Sequence, residues 1–340
     1  MIKVGVIGYG YWGPNVARNF NETPGARVVA ISDADEASLR RAEQSYPGVR
    51  MIRNDADLVT ASDIDAVAIV TPVSSHFELA KAALSNGKHI FVEKPFTASV
   101  AQAEQLIELA DRKRLKIMVD HTFLFTGAVK KIKELIDDDV LGDLYYFDSI
   151  RVNLGMFQKD VNVVWDLAPH DLSIMDYLID KEPTAVMATG VAHFNNNLED
   201  VAYITIYFPG NVIAHLNVNW LSPVKIRTTL IGGQKKMLVW NDLVSDEKIR
   251  VYDKGVEGME GFEGQSKEKS YGLRVSYRSG DMWAPRVNQV EALRGEAAYF
   301  VECINNNVTP KNDGNAGLRV VRMLEAIIKS LNLGGTLVRL

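Results

Sequence analysis

The first 121 residues alternate short β-branched apolar runs with stretches whose apolar positions recur at helical spacing. Strand candidates are Lys3 to Gly8, Arg27 to Ile31, Val49 to Ile52, Ala66 to Val70, Lys88 to Val92 and Lys116 to Asp120. Amphipathic segments such as Asp35 to Ser45, Ser75 to Asn86 and Ser99 to Arg114 lie between them. This alternation predicts parallel strands joined by right-handed crossovers, and six such strands complete a doubly wound sheet.

After Asp120 the pattern changes. Helical segments at Ala128 to Ile136 and Ala168 to Leu178 bracket a strand-like run, Asp143 to Val152. Alternating runs follow at Ala185 to Ala192, Val201 to Phe208, Val212 to Trp220, Arg227 to Ile231 and Lys236 to Trp240. Turns such as Pro209-Gly210-Asn211 and Gly232-Gly233-Gln234 separate several of them, as in an antiparallel meander. The expected architecture is an α/β Rossmann domain over residues 1–121, followed by an α+β domain over 122–340 with a large open, mainly antiparallel sheet. Helices are expected on one face of that sheet, leaving the other to water or to a second subunit in a homo-oligomer. The stretch Asp253 to Gly280, rich in Gly, Glu, Lys and Ser, reads either as a solvated excursion between strands or as a loop near a substrate. Two helices, near Val287 to Asn306 and Gly314 to Leu333, follow and can pack back on the first domain.

Composition narrows the class. With 340 residues, 47% of them apolar, the chain can bury two cores without disulfide or metal staples. Its one cysteine, Cys303, sits at helical spacing among Tyr299, Phe300 and Ile304 and reads as a small buried hydrophobe. A cysteine framework or cysteine-based zinc site is excluded, and the cysteine usage suits the cytoplasm. The net charge of −5 is spread along the chain, which argues against nucleic acid as a partner. The strand beginning near Met1 leaves no room for a signal peptide, and no apolar run approaches the roughly 18 residues of a membrane helix.

Candidate chemistry begins at Gly8-Tyr9-Gly10-Tyr11-Trp12-Gly13, which follows a strand and opens a helix, with Pro14 suited to the first turn. In such a turn the glycines permit a tight bend, backbone approach to a pyrophosphate, and close helix packing. The helix N-terminus adds free N–H groups and partial positive charge. Asp33, after the second strand, is placed to accept from an adenosine ribose; it could instead cap the next helix, a role for which Asp35 competes. A carboxylate there repels a 2′-phosphate and favours NAD over NADP, although Arg40 and Arg41 lie two turns on. Thr71-Pro72 ends the fourth strand on the ligand edge of the sheet, with His76 at the start of the following helix.

Glu93-Lys94-Pro95 ends the fifth strand, where a lysine can touch both cofactor and substrate; a surface ion pair with Glu93 is the structural alternative. Hydride transfer from an alcohol needs a base and a group that steadies the developing alkoxide. Lys94 suits the second task. His170, four residues after Asp166, suits the first if both share a helix face, since a nearby carboxylate can set an imidazole tautomer. Alternatively Asp166 is an N-cap and His170 a structural histidine. Metal ligation is a third option, without a His or Cys cluster to support it. Arg151, Asn153, Gln158 and Asn162 make the preceding segment too polar for a core strand and suit recognition of hydroxyls, an acetamido group or a diphosphate, or they form a polar loop. Trp283, Pro285 and Arg286 form a further wall of the site or packing anchors.

In combination and order these motifs resemble the glucose-fructose oxidoreductase and inositol dehydrogenase family, Gfo/Idh/MocA. The resemblance covers nearly the whole chain. It implies that Lys94, Asp166 and His170 form the catalytic set, that NAD or NADP is the cofactor, and that dimers or tetramers pack through the C-terminal sheet. The glycine turn, the acid after the second strand and the later strand ends give the expected cofactor contacts: Gly8, Gly10, Tyr11, Trp12, Gly13, Asp33, Thr71, Pro72, Glu93 and Lys94. The family pattern carries glycine two places before the catalytic histidine, where this chain has Ala168. Trp165-Asp166-Leu167-Ala168-Pro169-His170 looks most like the nucleotide-sugar branch, which oxidises or reduces the sugar at C3. Rival readings are a free-sugar or inositol dehydrogenase, a glycoside hydrolase that retains its NAD, and a non-catalytic NAD-sensing protein.

Overall fold

The computed structural model describes residues 1–155, 161–194, 198–257 and 276–340. Its first sheet is built from β1 (Ile2–Ile7), β2 (Ala26–Ser32), β3 (Arg50–Ile52), β4 (Ala66–Ile69), β5 (His89–Glu93) and β6 (Ile117–Asp120). All neighbours pair in parallel in the order β3-β2-β1-β4-β5-β6, the doubly wound arrangement expected. The central strand β4, Ala66-Val67-Ala68-Ile69, is buried at every position, so it reads as a continuous apolar run rather than an alternating one.

Helices α1 (Gly13–Glu22), α2 (Glu36–Ser45), α3 (Asp55–Thr60), α4 (Val73–Ser85) and α5 (Val100–Lys113) connect these strands. Their starts are chemically marked: Asp35, Asn54 and Ser99 each accept a hydrogen bond from a first-turn amide. Helix α5 ends at Arg114 in the left-handed conformation after two basic residues, a favourable C-terminus. The short α3 lacks enough length to show periodicity, and only its Asn54 cap announces it.

A 3-10 turn at Thr122–Phe125 leads into α6 (Gly127–Asp137), β7 (Leu144–Leu154) and α7 (Val163–Leu178). Then come β8 (Ala185–Val191), β9 (Val201–Tyr207), β10 (Ile213–Asn219), β11 (Leu221–Gly233), β12 (Met237–Asn241), β13 (Ile249–Glu257) and β14 (Ser276–Trp283). Helices α8 (Ala292–Asn305) and α9 (Gly314–Asn332) precede a two-residue strand, β15 (Val338–Arg339). The nine-stranded sheet has the order β14-β13-β12-β11-β7-β10-β9-β8-β15. It is antiparallel except where β10 lies parallel to β7, which a simple meander does not produce. At the two ends of the Gly- and Lys-rich stretch β13 and β14 pair with each other, and residues 258–275 between them lie outside the described residues.

One face of this sheet is buried. Phe147, Ile204, Ile206, Leu216 and Val218 pack with Leu172, Met175, Leu324 and Ile327 of α7 and α9 in one cluster. The opposite face carries Tyr203, Ile213, Met187 and Val191, all exposed. Helix α8 turns its buried side to the first sheet: Leu293, Ala297, Phe300 and Val301 join Phe20 of α1 and Phe91 of β5. The rings of Phe20, Phe91 and Phe300 meet edge to face at 5.2–6.1 Å. Burying Phe300 alone contributes about 2–3 kcal/mol, enough to hold α8 against the first sheet. Cys303, on the same helix, is buried as expected. No described helix is long and apolar enough to cross a membrane.

Candidate active site

The site forms where the carboxyl ends of β1, β4, β5 and β6 face α7. Gly8 adopts φ 95°, and a side chain there would strike the Val70 carbonyl, so both conformation and space demand glycine. A Cβ at Gly13 would strike the Gly8 carbonyl, which explains the close seating of α1 on β1. Gly10 has open space where a Cβ would stand. Helix α1 has Pro14 in its first turn; the Asn15 and Val16 amides bond to the Trp12 carbonyl, and no described side chain caps the helix N-terminus. Open space at Gly10 beside this uncapped N-terminus fits a dinucleotide's pyrophosphate. Tyr11 is almost fully exposed on this turn, whereas Tyr9 is buried beneath it.

Asp33 Oδ2 accepts from the Tyr9 amide at 2.6 Å and Oδ1 from the Asp35 amide at 2.8 Å. The helix cap is Asp35, which accepts from the Ala37 and Ser38 amides, so that alternative for Asp33 is resolved. Arg41 reaches the same turn, 3.4 Å from the Tyr9 carbonyl, while Arg40 pairs with Glu36 at the surface.

Thr71-Pro72 and Lys94-Pro95 are joined by a residue that sequence reasoning left aside. His76 is buried, with Nε2 2.8 Å from the Thr71 carbonyl and Nδ1 2.9 Å from the Pro95 carbonyl. Burial holds its pKa below the usual imidazole range. The neutral ring donates to one carbonyl and ties two turns of adjacent strands together. The Lys94–Pro95 peptide is cis.

Lys94 Nζ donates to the main-chain carbonyl of Asp166 at 2.9 Å and lies 3.6 Å from Asp166 Oδ1. Trp220, buried between β10 and β11, donates from Nε1 to Asp166 Oδ2 at 3.1 Å. The lysine is therefore paired across the cleft, not with neighbouring Glu93. Burial, followed by the charge of Asp120, raises the Glu93 carboxyl to about 8, and its Oε2 lacks a partner among the described residues.

Asp166 and His170 share α7 as their spacing required, but Asp166 does not cap the helix. That task falls to Asn162, whose Oδ1 accepts from the Trp165 amide while Nδ2 donates to Glu199 at 2.7 Å. Both ends of the Asn162 amide are thus engaged in the fold, and the residue also lines a cavity at the start of α7. The expected tautomer control also differs: Lys94 and Trp220 take the Asp166 carboxylate, and no described residue hydrogen-bonds the His170 ring. Phe123 packs edge-on against that ring with centroids 5.1 Å apart. Burial first, then Lys94, Arg151, Arg227 and His121, hold the imidazole well below its ordinary pKa. His170 is neutral near pH 7, the form that accepts a proton.

Arg151 is buried and forms a bidentate pair with Asp171 at 2.6 and 3.0 Å, to which Ser149 also donates. Its remaining Nη1 is buried without a partner, and the guanidinium lies 4.6 Å from the Phe123 ring centre. Arg227 approaches the same ring at 5.7 Å. Asn153 follows two residues along β7, beside Gly155 and Trp220. Gln158 lies outside the described residues. Trp283 sits on edge strand β14, with three strands between it and β7, so its strand does not wall this site. Asp171, Arg227, Phe123 and Trp220 were missed; only the buried Trp at a strand end and the Asp following His170 offered a signal. A mainly apolar cavity of about 390 Å³ opens beside the start of α7, where Val73, Ala98, Trp165 and Leu198 line it together with the polar Ser74 and Asn162. Among the described residues no group of three or more His, Cys, Asp or Glu is placed to hold a metal.

A six-stranded doubly wound sheet whose glycine turn opens an uncapped helix places this chain among the dinucleotide-binding proteins. Models of the oxidoreductase family with an NAD-binding Rossmann fold and of the GFO/IDH/MocA C-terminal domain match residues 2–121 and 129–239. The chain belongs to the Gfo/Idh/MocA oxidoreductase family. It is 34% identical over 186 residues to the Escherichia coli (strain K12) oxidoreductase YdgJ, a match spanning 50% of this chain and about half, 51%, of that protein. It is 26% identical to the UDP-N-acetylglucosamine 3-dehydrogenase of Acidithiobacillus ferrooxidans, over 94% of both chains. The solved structure of that enzyme superposes with a TM-score of 0.79 at 23% identity over 98% of each chain. Scyllo-inositol dehydrogenase of Lactobacillus casei, solved with NAD(H) and scyllo-inositol, gives a TM-score of 0.79 at 21% identity, covering 100% of this chain and 99% of that one.

Proposed function

We propose that this protein is an NAD-dependent dehydrogenase or reductase that moves a hydride between nicotinamide and a CH–OH group of a sugar, at C3 of a nucleotide-linked hexose. The observation that carries the reading is Lys94, held on Asp166 across the cleft from a neutral His170. The bound nicotinamide supplies the hydride acceptor or donor. His170 takes the hydroxyl proton in the oxidative direction, and Lys94 stabilises charge on the substrate oxygen. Asp166 fixes Lys94 and is itself held by Trp220. Arg151 Nη1 and Asn153 supply donors toward the sugar. The cavity beside Trp165 has the volume of a small-ligand site.

Support for the nucleotide-sugar branch comes from the Acidithiobacillus relative and from the Trp165-to-His170 motif. A polyol substrate is the second reading, favoured by the inositol dehydrogenase relatives, among them that of Rhizobium meliloti at 23% identity over 97% of each chain. Asp33 beside the Tyr9 amide favours NAD; Arg41 on the same turn favours NADP. The exposed Tyr203–Ile213 face suits a homodimer or homotetramer, and a single buried cysteine suits the reducing cytoplasm. Incubation with NAD and a panel of nucleotide sugars, free sugars and inositols, followed at the NADH absorbance, tests the reading. Turnover only with polyols overturns the nucleotide-sugar assignment, and binding of NAD with no turnover on any panel member overturns the enzyme.

A further inference from the structure

Three residues from distant parts of the chain meet behind the glycine-rich turn. Asp120, at the end of β6, accepts from Trp12 Nε1 through Oδ2 at 3.2 Å and from Thr122 through Oδ1. Glu296, on α8, is fully buried. Its Oε1 accepts from Asn312 Nδ2 at 2.8 Å, and the same amide donates to the Val119 carbonyl at 2.7 Å. Glu296 Oε2 has no donor among the described residues, and the Asn312 amide fastens the other oxygen to the main chain one residue before Asp120. Two ionised carboxylates so placed would repel each other and leave Glu296 Oε2 buried without a donor. A single proton on Glu296 removes one charge and supplies the missing hydrogen bond.

We propose that Glu296 is a positioning residue for the cofactor: as a neutral carboxylic acid it donates to Asp120, which holds the Trp12 indole and thereby the glycine-rich turn. The proposal rests on the turn binding a dinucleotide, not on the sugar chemistry. The groups facing Glu296 come from three directions. Asp120 on β6 and Glu93 on β5 disfavour its ionised form, and Lys311, ahead of α9, favours it. Burial is the largest influence and, with both carboxyls, lifts Glu296 well above the ordinary carboxylate range. Lys311 is itself lowered to about 8 by burial, so its opposing effect weakens as pH rises.

NADH affinity, read from nucleotide fluorescence from about pH 6 to about pH 10, tests this in three full-length proteins. In the parent protein, binding should weaken about tenfold at the alkaline end as Glu296 ionises against Asp120. Glu296→Gln keeps a donor toward Asp120 and an acceptor for Asn312 and cannot ionise. It should bind NADH within about twofold of the parent at neutral pH and lose the alkaline weakening. Glu296→Leu removes the donor and should weaken binding about tenfold across the range. An alkaline loss retained in Glu296→Gln, or parent-like binding by Glu296→Leu, overturns the proposal. Should Glu296→Leu fail to fold, the contrast between parent and Glu296→Gln decides alone. Sugar turnover is not measured, so failure of the dehydrogenase reading leaves this test intact.

Discussion

Lys94 and Asp166 hold each other across the cleft through two different atoms of the aspartate: its carbonyl oxygen at 2.9 Å and Oδ1 at 3.6 Å. The main-chain contact places the ammonium even when the carboxylate moves. Lys94→Ala should therefore lower kcat by about 10² to 10³ and leave cofactor Kd within a few fold, as read by NADH formation and by nucleotide titration. A larger change in Kd than in kcat would assign Lys94 to cofactor binding instead.

Trp220 reaches Asp166 Oδ2 from the other side. Trp220→Phe keeps most of the buried ring but removes the donor, so the carboxylate loses one of its two anchors. An expected fall in kcat of about tenfold, with KM changed less, is measurable by steady-state kinetics.

The pH profile carries a signed prediction. His170 is held well below its ordinary value by burial and by Lys94, Arg151 and Arg227. The oxidative kcat/KM should stay flat through pH 6.5 and fall only at more acid pH. Arg227→Met removes one of the cations and should shift the acid limb upward; a downward shift would contradict the assignment of His170 as base.

Stability should follow the buried histidines in the same direction. His121 is lowered to about 3 by burial, then by Lys94 and Arg319, so the unfolded chain binds its proton first. Folding stability then rises with pH between about 3 and 6.5, by at most about 1.4 kcal/mol per pH unit for each such histidine. Chemical denaturation across this range should show a shallower slope for His121→Asn.

Asp33→Asn retains an acceptor for one amide but removes the charge from the proposed ribose site. The ratio of NADP to NAD affinity should rise about tenfold, and adding Arg41→Ala should reverse much of that gain. Titration with both nucleotides distinguishes a charge effect from collapse of the turn, which would weaken both equally.

Much of the fold was legible because the relevant signals are local. The six parallel strands each carry a short apolar run, and Asp35, Ser99 and Gly8 sit where backbone geometry requires them. The Asp166-to-His170 spacing placed both on one helix for the same reason. The capping of α7 by Asn162 was hidden because an N-cap and a sugar-binding amide look alike in a polar segment. Phe123 and Arg227 were invisible because they enter the site through strand register and the path after β6, which no local periodicity encodes, and Trp220 shows itself only as a tryptophan at a strand end. The parallel β10–β7 pair was hidden for the same cause.

His76 gives the cleft a mechanical asymmetry. Donating to one carbonyl and packed against the other, one buried ring fills the space between the Thr71 and Pro95 turns and makes the two loops a single stiff rim. A dinucleotide entering there meets a wall whose shape is set during folding. Adjustment to the ligand falls to the glycine turn opposite and to the Lys94 side chain, so substitutions that loosen the His76 contacts should broaden the range of nucleotides admitted.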